Sequence, residues 1–274
     1  MAGTGHGEIV LGTDPEFVLV NSNTGMIRDP HAIIEDPDPH NRGGMAAGIG
    51  VDGDRATSSV ELRPGISDSA EELVSRMAEL LAQLYSHYHP PIIHYRAGAF
   101  VHPEPLGAHI HFGWDTTYSL YTQKYNDVQW KVIEIMAGIR AFSLKVTPEL
   151  FNTTELQARA KYAINHNSDF SNPDSYRPRG GLMAVMNEKH LEYRHPPSWL
   201  NCPESAYVYL AAAESIAKEV WNTPVGTQRN WDKISLQMLQ DEARSPKGPI
   251  SIPKAFSVAK RYVQVPNFIT NWVD

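Results

Sequence analysis

The chain of 274 residues is 42% hydrophobic and 20% charged, a composition typical of a globular protein with a sizeable core. Its formal net charge of −7 argues against a broad surface for nucleic acid or anionic membranes, although it permits a local basic pocket. The single cysteine, Cys202, excludes an intrachain disulfide and a zinc site built from several cysteines.

The N-terminal residues, MAGTGHGEIV, lack the basic and apolar regions of a signal peptide, and no apolar run of about 18 residues occurs. We therefore expect a cytoplasmic protein without a membrane span. The first half of the chain predicts, in order, a strand at 8–20 interrupted by a small polar turn, a strand at 57–63, a helix at 69–88, and strands at 93–101 and 107–114. Ser69 and Glu72 form a capping-box pattern at the start of the helix.

The second half predicts a helix at 126–146, an irregular segment at 150–180, strands at 181–186 and 190–194, and a helix at 203–222. The strands alternate apolar and polar residues, which favours an antiparallel sheet over a parallel one. We expect an α+β fold with helices on one face of the sheet and an open polar face on the other. The whole chain, 1–274, is predicted to be a single domain, with its motifs in a core at 11–200 and a helical or irregular extension at 201–274.

Four pairs of polar residues share one spacing on these strands. They are Asp14 and Glu16, Glu61 and Arg63, His109 and His111, and Glu192 and Arg194. Residues two apart on a strand point to the same face. The residue between them is apolar or aromatic in three pairs, and we expect Leu62, Ile110 and Tyr193 to point into the core. Pro15 separates the first pair and predicts a bulge or a sheet edge there.

If these strands are neighbours, one face of the sheet collects four carboxylates, two imidazoles and two guanidiniums. Carboxylates crowded together repel each other, and Mg²⁺ or Mn²⁺ would relieve that repulsion. The forked guanidiniums match a phosphate or a carboxylate. Metals and arginines around a phosphate are typical of phosphoryl transfer. The alternative for any single pair is a solvated strand face with a salt bridge at its rim.

The motifs resemble those of a known family. LEYRHPPSWL is similar to the Glu-aromatic-Arg-x-Pro segment of glutamine synthetases, GAHIHFG to their Gly-x-His-x-His segment, and DPE to their acid-x-acid strand. The closer resemblance is to the phage-type amidoligases called COOH-NH2 ligase type 2, a branch of the glutamine synthetase and glutamate–cysteine ligase superfamily. It covers about residues 11–200. It implies the fold of a glutamine-synthetase-like catalytic domain with a curved antiparallel sheet.

The resemblance also implies an activity. ATP would bind on the open face with two divalent ions, Mg²⁺ or Mn²⁺. A carboxylate would attack the γ-phosphate to form an acyl phosphate, and an amine would then displace phosphate to give an amide. ATP, a carboxylic acid and an amine are therefore the expected partners. For a phage-encoded enzyme the expected location is the host cytoplasm.

Metal ligands follow from the resemblance residue by residue. Asp14 and Glu16 would each supply a ligand to one of the two metals, and Glu61 would be another ligand to the first. His109 would join Asp14 and Glu192 around the second. Asp52, in VDGD nine residues before Glu61, is a further candidate acid, with an ordinary Asp-Gly turn as the alternative.

The phosphate-binding residues are carried over in the same way. His111 would approach the ATP phosphates, and Arg194 would hold the γ-phosphate or the substrate carboxylate. Arg63 is the second strand arginine. Arg177 and Arg179 lie where glutamine synthetases place further arginines, with a solvated loop as the alternative.

The sequence departs from glutamine synthetases in two respects. Asp14 is shorter than their usual glutamate, which would draw a metal closer to the strand. No separate N-terminal β-grasp domain is visible, and the oligomeric state is therefore left open.

Two other classes compete with a ligase. A metal-dependent hydrolase of the cupin type could use the His109–His111 pair, but it would need a glutamate soon afterwards, and the next one is Glu134. A non-catalytic phage structural or interaction protein could keep the fold without turnover, although it would not need clustered acids. P-loop and Rossmann enzymes are disfavoured because their glycine-rich motifs do not occur.

Overall fold

A computed structural model describes residues 9–32, 34, 48–52, 59–88, 92–114, 125–166, 183–187, 190–241, 250–262 and 267–273. The predictions for Arg177 and Arg179 lie outside these ranges.

Within these ranges the fold is built on an eight-stranded sheet whose pairings are all antiparallel. The strands of the chain are β1 (Val10–Asn21), β2 (Gly48–Asp52), β3 (Ser59–Arg63), β4 (Ile66–Ser67), β5 (Ile93–Arg96), β6 (Phe100–Val101), β7 (Glu104–Pro105), β8 (Ala108–Gly113), β9 (Met183–Asn187) and β10 (His190–Tyr193). The sheet order is β2-β3-β1-β8-β10-β9, with β4 and β5 also paired to β1, while β6 and β7 form a separate hairpin. The predicted antiparallel α+β class is confirmed.

Seven α-helices lie in the described ranges. They are α1 (Ala70–His87), α2 (Tyr125–Leu150), α3 (Thr153–His166), α4 (Pro203–Trp221), α5 (Trp231–Gln240), α6 (Ile252–Ala259) and α7 (Thr270–Val273). Helix α1 begins at Ser69, whose hydroxyl accepts the Glu72 N–H as the capping pattern predicted. Helix α4 begins at Cys202, whose sulfur accepts the Ser205 N–H. Among the described residues no helix is long and apolar enough to cross a membrane.

Three predicted elements were wrong in detail. Strand β1 runs unbroken through the polar residues that suggested a turn. These residues are buried within the strand and do not form a solvent-exposed loop. The strand expected at 93–101 is two strands, β5 and β6, separated at Gly98, whose φ of +142° an L-residue rarely adopts. Part of the segment expected to be irregular is helix α3. The described part of this helix consists largely of polar and small residues, none of them fully buried, so its sequence gives little hydrophobic periodicity.

Pro15 lies in the middle of a central strand. Strand β1 pairs with β4 at Gly12 and with β3 from Glu16, and between those points its pairing on that side is interrupted. The Glu16 N–H points to the other side, where it donates to the Gly107 carbonyl at 2.8 Å. Because backbone groups alternate sides along a strand, Pro15 directs its nitrogen, which has no hydrogen, at the interruption. The irregularity predicted at Pro15 is present, but it is a gap between the strands that pair with β1 and not a break in β1 itself.

One face of the sheet forms the core. The alternate residues that separate the polar pairs, Leu62, Ile110 and Tyr193, are buried as predicted. They join one hydrophobic cluster with buried residues of α1, α2 and α4. The opposite face is polar at its centre, but at one end Val18 and Val20 pack against Leu106 in a second, small cluster. The open face is therefore bounded by apolar packing at that end of β1.

Candidate active site

The four polar pairs lie on four consecutive strands, β3, β1, β8 and β10. Backbone register places Glu16 opposite Glu61, Asp14 opposite His109, and His111 opposite Glu192. Since each pair keeps its spacing of two, all eight side chains project from the same face of the sheet. The expectation that these strands are neighbours is confirmed.

His109 lies between two acids. Its Nδ1 atom is 3.0 Å from Asp14 Oδ1 and 3.0 Å from Glu192 Oε1. Burial alone would lower the pKa of His109, but the charge of Asp14 and the close contacts with both acids outweigh it and raise the pKa to about 10. His109 is therefore a cation that links β1 to β10 across β8.

His111 contacts a different atom of the same aspartate. Its Nε2 atom is 2.9 Å from Asp14 Oδ2, while its Nδ1 atom is 2.8 Å from His190 Nε2. Within the described residues, Asp14, His111 and Glu192 form a group whose ligand atoms all lie within 4.8 Å of one another. The resemblance places His109 with Asp14 and Glu192 and His111 at the phosphates, and the geometry brings both imidazoles to these acids.

Asp14 carries a feature that fits a bound cation. Its Oδ1 atom is buried and makes no hydrogen bond, since the nearby His109 nitrogen lies outside hydrogen-bond geometry. Burial would raise the pKa of Asp14, but His109 and His111 together hold it well below its usual range. A buried, ionised oxygen without a hydrogen bond is costly, and a divalent ion would satisfy it.

Both strand arginines pair with the glutamate two residues before them. The guanidinium of Arg194 lies 2.5 Å from Glu192 Oε1, and that of Arg63 lies 3.4 Å from the Glu61 oxygens. The expectation of bare carboxylates that repel one another was therefore incomplete, because the metal-free site already balances much of its negative charge. The same arginines lie next to the acids, so their guanidiniums could also bind a phosphate in contact with a cation held by those acids.

Glu16 lies in a tight corner of the site. Its Oε2 atom accepts the Gly107 N–H at 2.7 Å. A Cβ atom at Gly107 would lie 2.8 Å from His109 Nε2 and 3.5 Å from Glu16 Oε2, so the glycine of the GAHIHFG motif makes room for both side chains. Glu104 of strand β7 is a buried acid that the sequence prediction missed. Burial first, and then the charge of Glu16, raises its pKa.

Two further residues around the site were also missed. Arg159 of α3 donates to the carbonyls of Leu106, Arg194 and Pro196, and so links the segment before β8 to the segment after β10. No signal pointed to it because its segment was predicted to be irregular. His190 stands two residues before Glu192 on the same strand, so the spacing rule that found the four pairs would have found it as well.

The remaining predicted residues are only partly placed. Asp52 ends β2, with its backbone opposite Ser59, but its side chain lies outside what the structure describes. Arg177 and Arg179 lie wholly outside the described residues.

An antiparallel sheet that presents acids, imidazoles and guanidiniums on four neighbouring strands defines a site for cations and anions together. The family model described as "Phage phiEco32-like COOH.NH2 ligase-type 2" matches residues 11–138, just under half of the chain. The match confirms the predicted resemblance to this ligase family. It contains three of the four pairs, and the sheet order places the fourth pair, Glu192 and Arg194, beside them. No curated protein matches the chain significantly.

Solved structures of several ligases share part of the architecture. A bifunctional glutathione synthetase from Pasteurella multocida is 11% identical over 84% of this chain and 41% of its own, with a TM-score of 0.48. A glutamate–cysteine ligase from Francisella tularensis in complex with AMP is 10% identical over 95% of this chain and 72% of its own, with a TM-score of 0.47. Glutamine synthetase from Plasmodium falciparum is 13% identical over 78% and 51% of the two chains, with a TM-score of 0.43. This chain spans between 41% and 72% of the length of these three structures.

Proposed function

We propose that this protein is an ATP-dependent ligase that joins a carboxylate to an amine through an acyl phosphate. The observation that carries the proposal is that Asp14, His111 and Glu192 converge beside the Arg194 guanidinium. Three of the four strands that carry the site lie in the segment that matches a ligase family. Cation ligands next to a forked anion-binding group are what phosphoryl transfer requires.

The proposed reaction has two steps. A carboxylate oxygen of the acid attacks the γ-phosphorus of ATP, and ADP leaves. The amine nitrogen then attacks the acyl carbon, the bond to the phosphate oxygen breaks, and the nitrogen loses a proton. The products are an amide, ADP and inorganic phosphate. The chain would contribute by holding the three substrates in register and by neutralising the charge that develops on the phosphoryl oxygens.

Two groups of side chains would hold divalent ions. Asp14, His111 and Glu192 suit one Mg²⁺ or Mn²⁺, and the opposed acids Glu16 and Glu61 suit a second. When bound, such ions would screen the negative charge of the ATP phosphates. We propose that His109 acts as the cation that links the two acids of the first group, rather than as a ligand.

The arginines would hold the anions. Arg194 is close enough to Glu192 to reach a phosphate or carboxylate bound next to that acid, and Arg63 takes the equivalent place beside Glu61. Arg177 and Arg179 are proposed to bind phosphate or the substrate carboxylate as well. Asp52 is proposed as a further metal acid, on the ground of the resemblance alone.

The test is calorimetric binding of a nonhydrolysable ATP analogue with and without Mg²⁺ or Mn²⁺. We expect binding by the unaltered protein only with a divalent ion, and loss of that binding in Glu192→Gln. Glu149→Gln is the matched control, since Glu149 is an exposed acid that pairs with Lys260 away from the site. Binding that ignores the metal, or that survives in Glu192→Gln, would contradict the proposal.

Turnover gives the second half of the test. Phosphate release would be screened over pairs of carboxylic acids and amines, with ATP present. Release that needs both an acid and an amine supports the ligase. Metal-dependent hydrolysis of a substrate without ATP would favour the hydrolase alternative, and absence of any nucleotide binding would favour a non-catalytic role.

A further inference from the structure

His190 is a side chain of the site face that the proposed reaction does not use. It begins β10, lies half-buried, and places its Nε2 atom 2.8 Å from His111 Nδ1, with the two rings 5.0 Å apart. The residue opposite His190 on β8 is Gly113, which has no side chain. The imidazole can therefore lean along β8 towards His111, a diagonal neighbour on the same face.

The backbone around His190 is also irregular. The pairing of β10 with β9 shifts register between His190 and Leu191, so that one residue of β9 has no partner at that point. Such bulges occur next to active sites, where they change the direction of a neighbouring side chain. The bulge and the glycine opposite are two independent features that favour the contact between the imidazoles.

The contact has a chemical consequence for His111. A neutral imidazole carries its single hydrogen on one nitrogen and offers a lone pair on the other. Nε2 of His111 faces Asp14, so it is the nitrogen that would have to offer a lone pair to a cation in the Asp14, His111 and Glu192 group. The hydrogen must then sit on Nδ1, where it needs an acceptor. Nε2 of His190 is placed to be that acceptor.

We propose that His190 is a positioning residue that accepts the Nδ1–H of His111 and so fixes the tautomer and the ring orientation that His111 needs to bind a divalent ion. The inference rests on the proposed function, because it concerns the same metal group. A histidine that binds a metal through one ring nitrogen generally donates the N–H of its other ring nitrogen to a carboxylate, a carbonyl or a water. A second imidazole takes that place here, and an imidazole as acceptor requires its own hydrogen to be on Nδ1.

Two substitutions separate acceptor chemistry from simple packing. In His190→Gln the amide oxygen lies as many bonds from Cβ as the imidazole Nε2, so an acceptor remains within reach of His111. In His190→Leu the acceptor is lost while an apolar side chain fills the space. We expect Mn²⁺ affinity, measured by calorimetry, to fall about 10- to 100-fold in His190→Leu and to stay within about threefold of the unaltered protein in His190→Gln.

A second measurement reads the tautomer directly in the unaltered protein. Long-range ¹H–¹⁵N correlation spectra of the ¹⁵N-labelled, Mg²⁺-saturated chain report which nitrogen of each histidine carries hydrogen. We expect His111 to carry it on Nδ1 and His190 to carry it on its own Nδ1. The assignment would be made from spectra of His111→Gln and His190→Gln, each of which removes one set of signals.

The outcomes are distinct. Loss of Mn²⁺ binding in His190→Leu with retention in His190→Gln, together with the Nδ1–H tautomer, supports the proposal. Unchanged Mn²⁺ affinity in His190→Leu overturns the proposal. A His111 tautomer with its hydrogen on Nε2 also overturns it, and that measurement is available even if His190→Leu fails to fold. Absence of Mn²⁺ binding in the unaltered protein overturns the metal centre of the proposed function, and this inference with it. Strong Mn²⁺ binding by the unaltered protein, with the same affinity in both His190 variants, overturns this inference alone.

Discussion

Glu16 and Glu61 lie directly opposite each other across β1 and β3, with their side chains on the site face of the sheet. Like charges opposed in this way destabilise a sheet unless something compensates them. Arg63 does so for Glu61, and the Gly107 N–H does so for Glu16. The sheet tolerates this pair of acids because each has its own local partner, and each partner suggests a way to disturb the site without removing an acid.

The first prediction concerns Gly50, which lies opposite Glu61 on β2. A Cβ atom at Gly50 would collide with the guanidinium of Arg63, so Gly50→Ala must displace Arg63 from Glu61. Because the guanidinium is the end of a flexible side chain and can move aside, we expect a loss of about 1 kcal/mol or less in the free energy of unfolding, measured in urea. Both Gly50→Ala and Arg63→Ala act through the same guanidinium. The double variant should therefore lose less free energy of unfolding than the sum of the losses in the two single variants. Strict additivity would show that Gly50 acts elsewhere.

The second prediction compares two glycines of the site face. Gly107→Ala would press against His109, whereas a Cβ atom at Gly12 would lie an ordinary 3.4 Å from the His111 Cβ. We expect Gly107→Ala to weaken metal-dependent binding of the ATP analogue by about tenfold or more, which is about 1.4 kcal/mol. Gly12→Ala should bind as the unaltered protein does. Equal effects of the two substitutions in the calorimeter would refute this explanation of the GAHIHFG glycine.

The third prediction concerns Cys202, the single cysteine of the chain. Its thiol is fully buried at the start of α4, and burial raises its pKa to about 12. Because the thiolate is the reactive form, we expect the native protein to react with a disulfide reagent on the order of a thousandfold more slowly than the urea-unfolded chain. Rapid labelling of the native protein would mean that this end of α4 opens readily.

The fourth prediction is a pH dependence of stability. His195 stacks on Tyr193, and its Nδ1 atom is buried without a hydrogen bond. Burial first, and then Arg159 and Arg140, lowers its pKa below the ordinary 6.5. The unfolded chain therefore binds more protons at this site as the pH falls below 6.5, and the folded state loses stability there, by at most about 1.4 kcal/mol per pH unit.

The comparison for this prediction is His195→Phe, which keeps a ring against Tyr193 and removes the titrating group. The difference in the free energy of unfolding between the variant and the unaltered protein should grow in favour of the variant below pH 6.5. It should become constant above about pH 7.5, where the imidazole is neutral in both states. Parallel stability curves for the two proteins would show that His195 ionises equally in the folded and unfolded states.

The sequence predicted the sheet and its site face well, because both follow from a local rule. Residues two apart on a strand share a face, so Asp14 with Glu16 and His109 with His111 were recognisable before any strand had been paired. The buried residues between the pairs, such as Ile110, followed from the same alternation. Three of the four pairs also lie in the segment that matches the ligase family.

The features that were missed depend on contacts between distant segments. Arg159 acts on carbonyls of residues far from it in the sequence, and nothing in its own helix marks it for that role. The positions of His109 and His111 relative to Glu192 depend on how β8 and β10 pair, which no local pattern predicts. The unbroken course of β1 through Pro15 depends on an interruption in its partners.

The order of strands in the sheet has a consequence for how the protein is made. Strand β8 lies between β1, which precedes it, and β10, which follows only after α2 and α3 have been synthesised. Until β10 docks, one edge of β8 has unpaired N–H and C=O groups, and such an edge invites pairing with another chain. Glu192, the acid that completes the proposed metal group, arrives on the strand that covers this edge. Completion of the site and protection of the nascent chain from aggregation are therefore the same folding event.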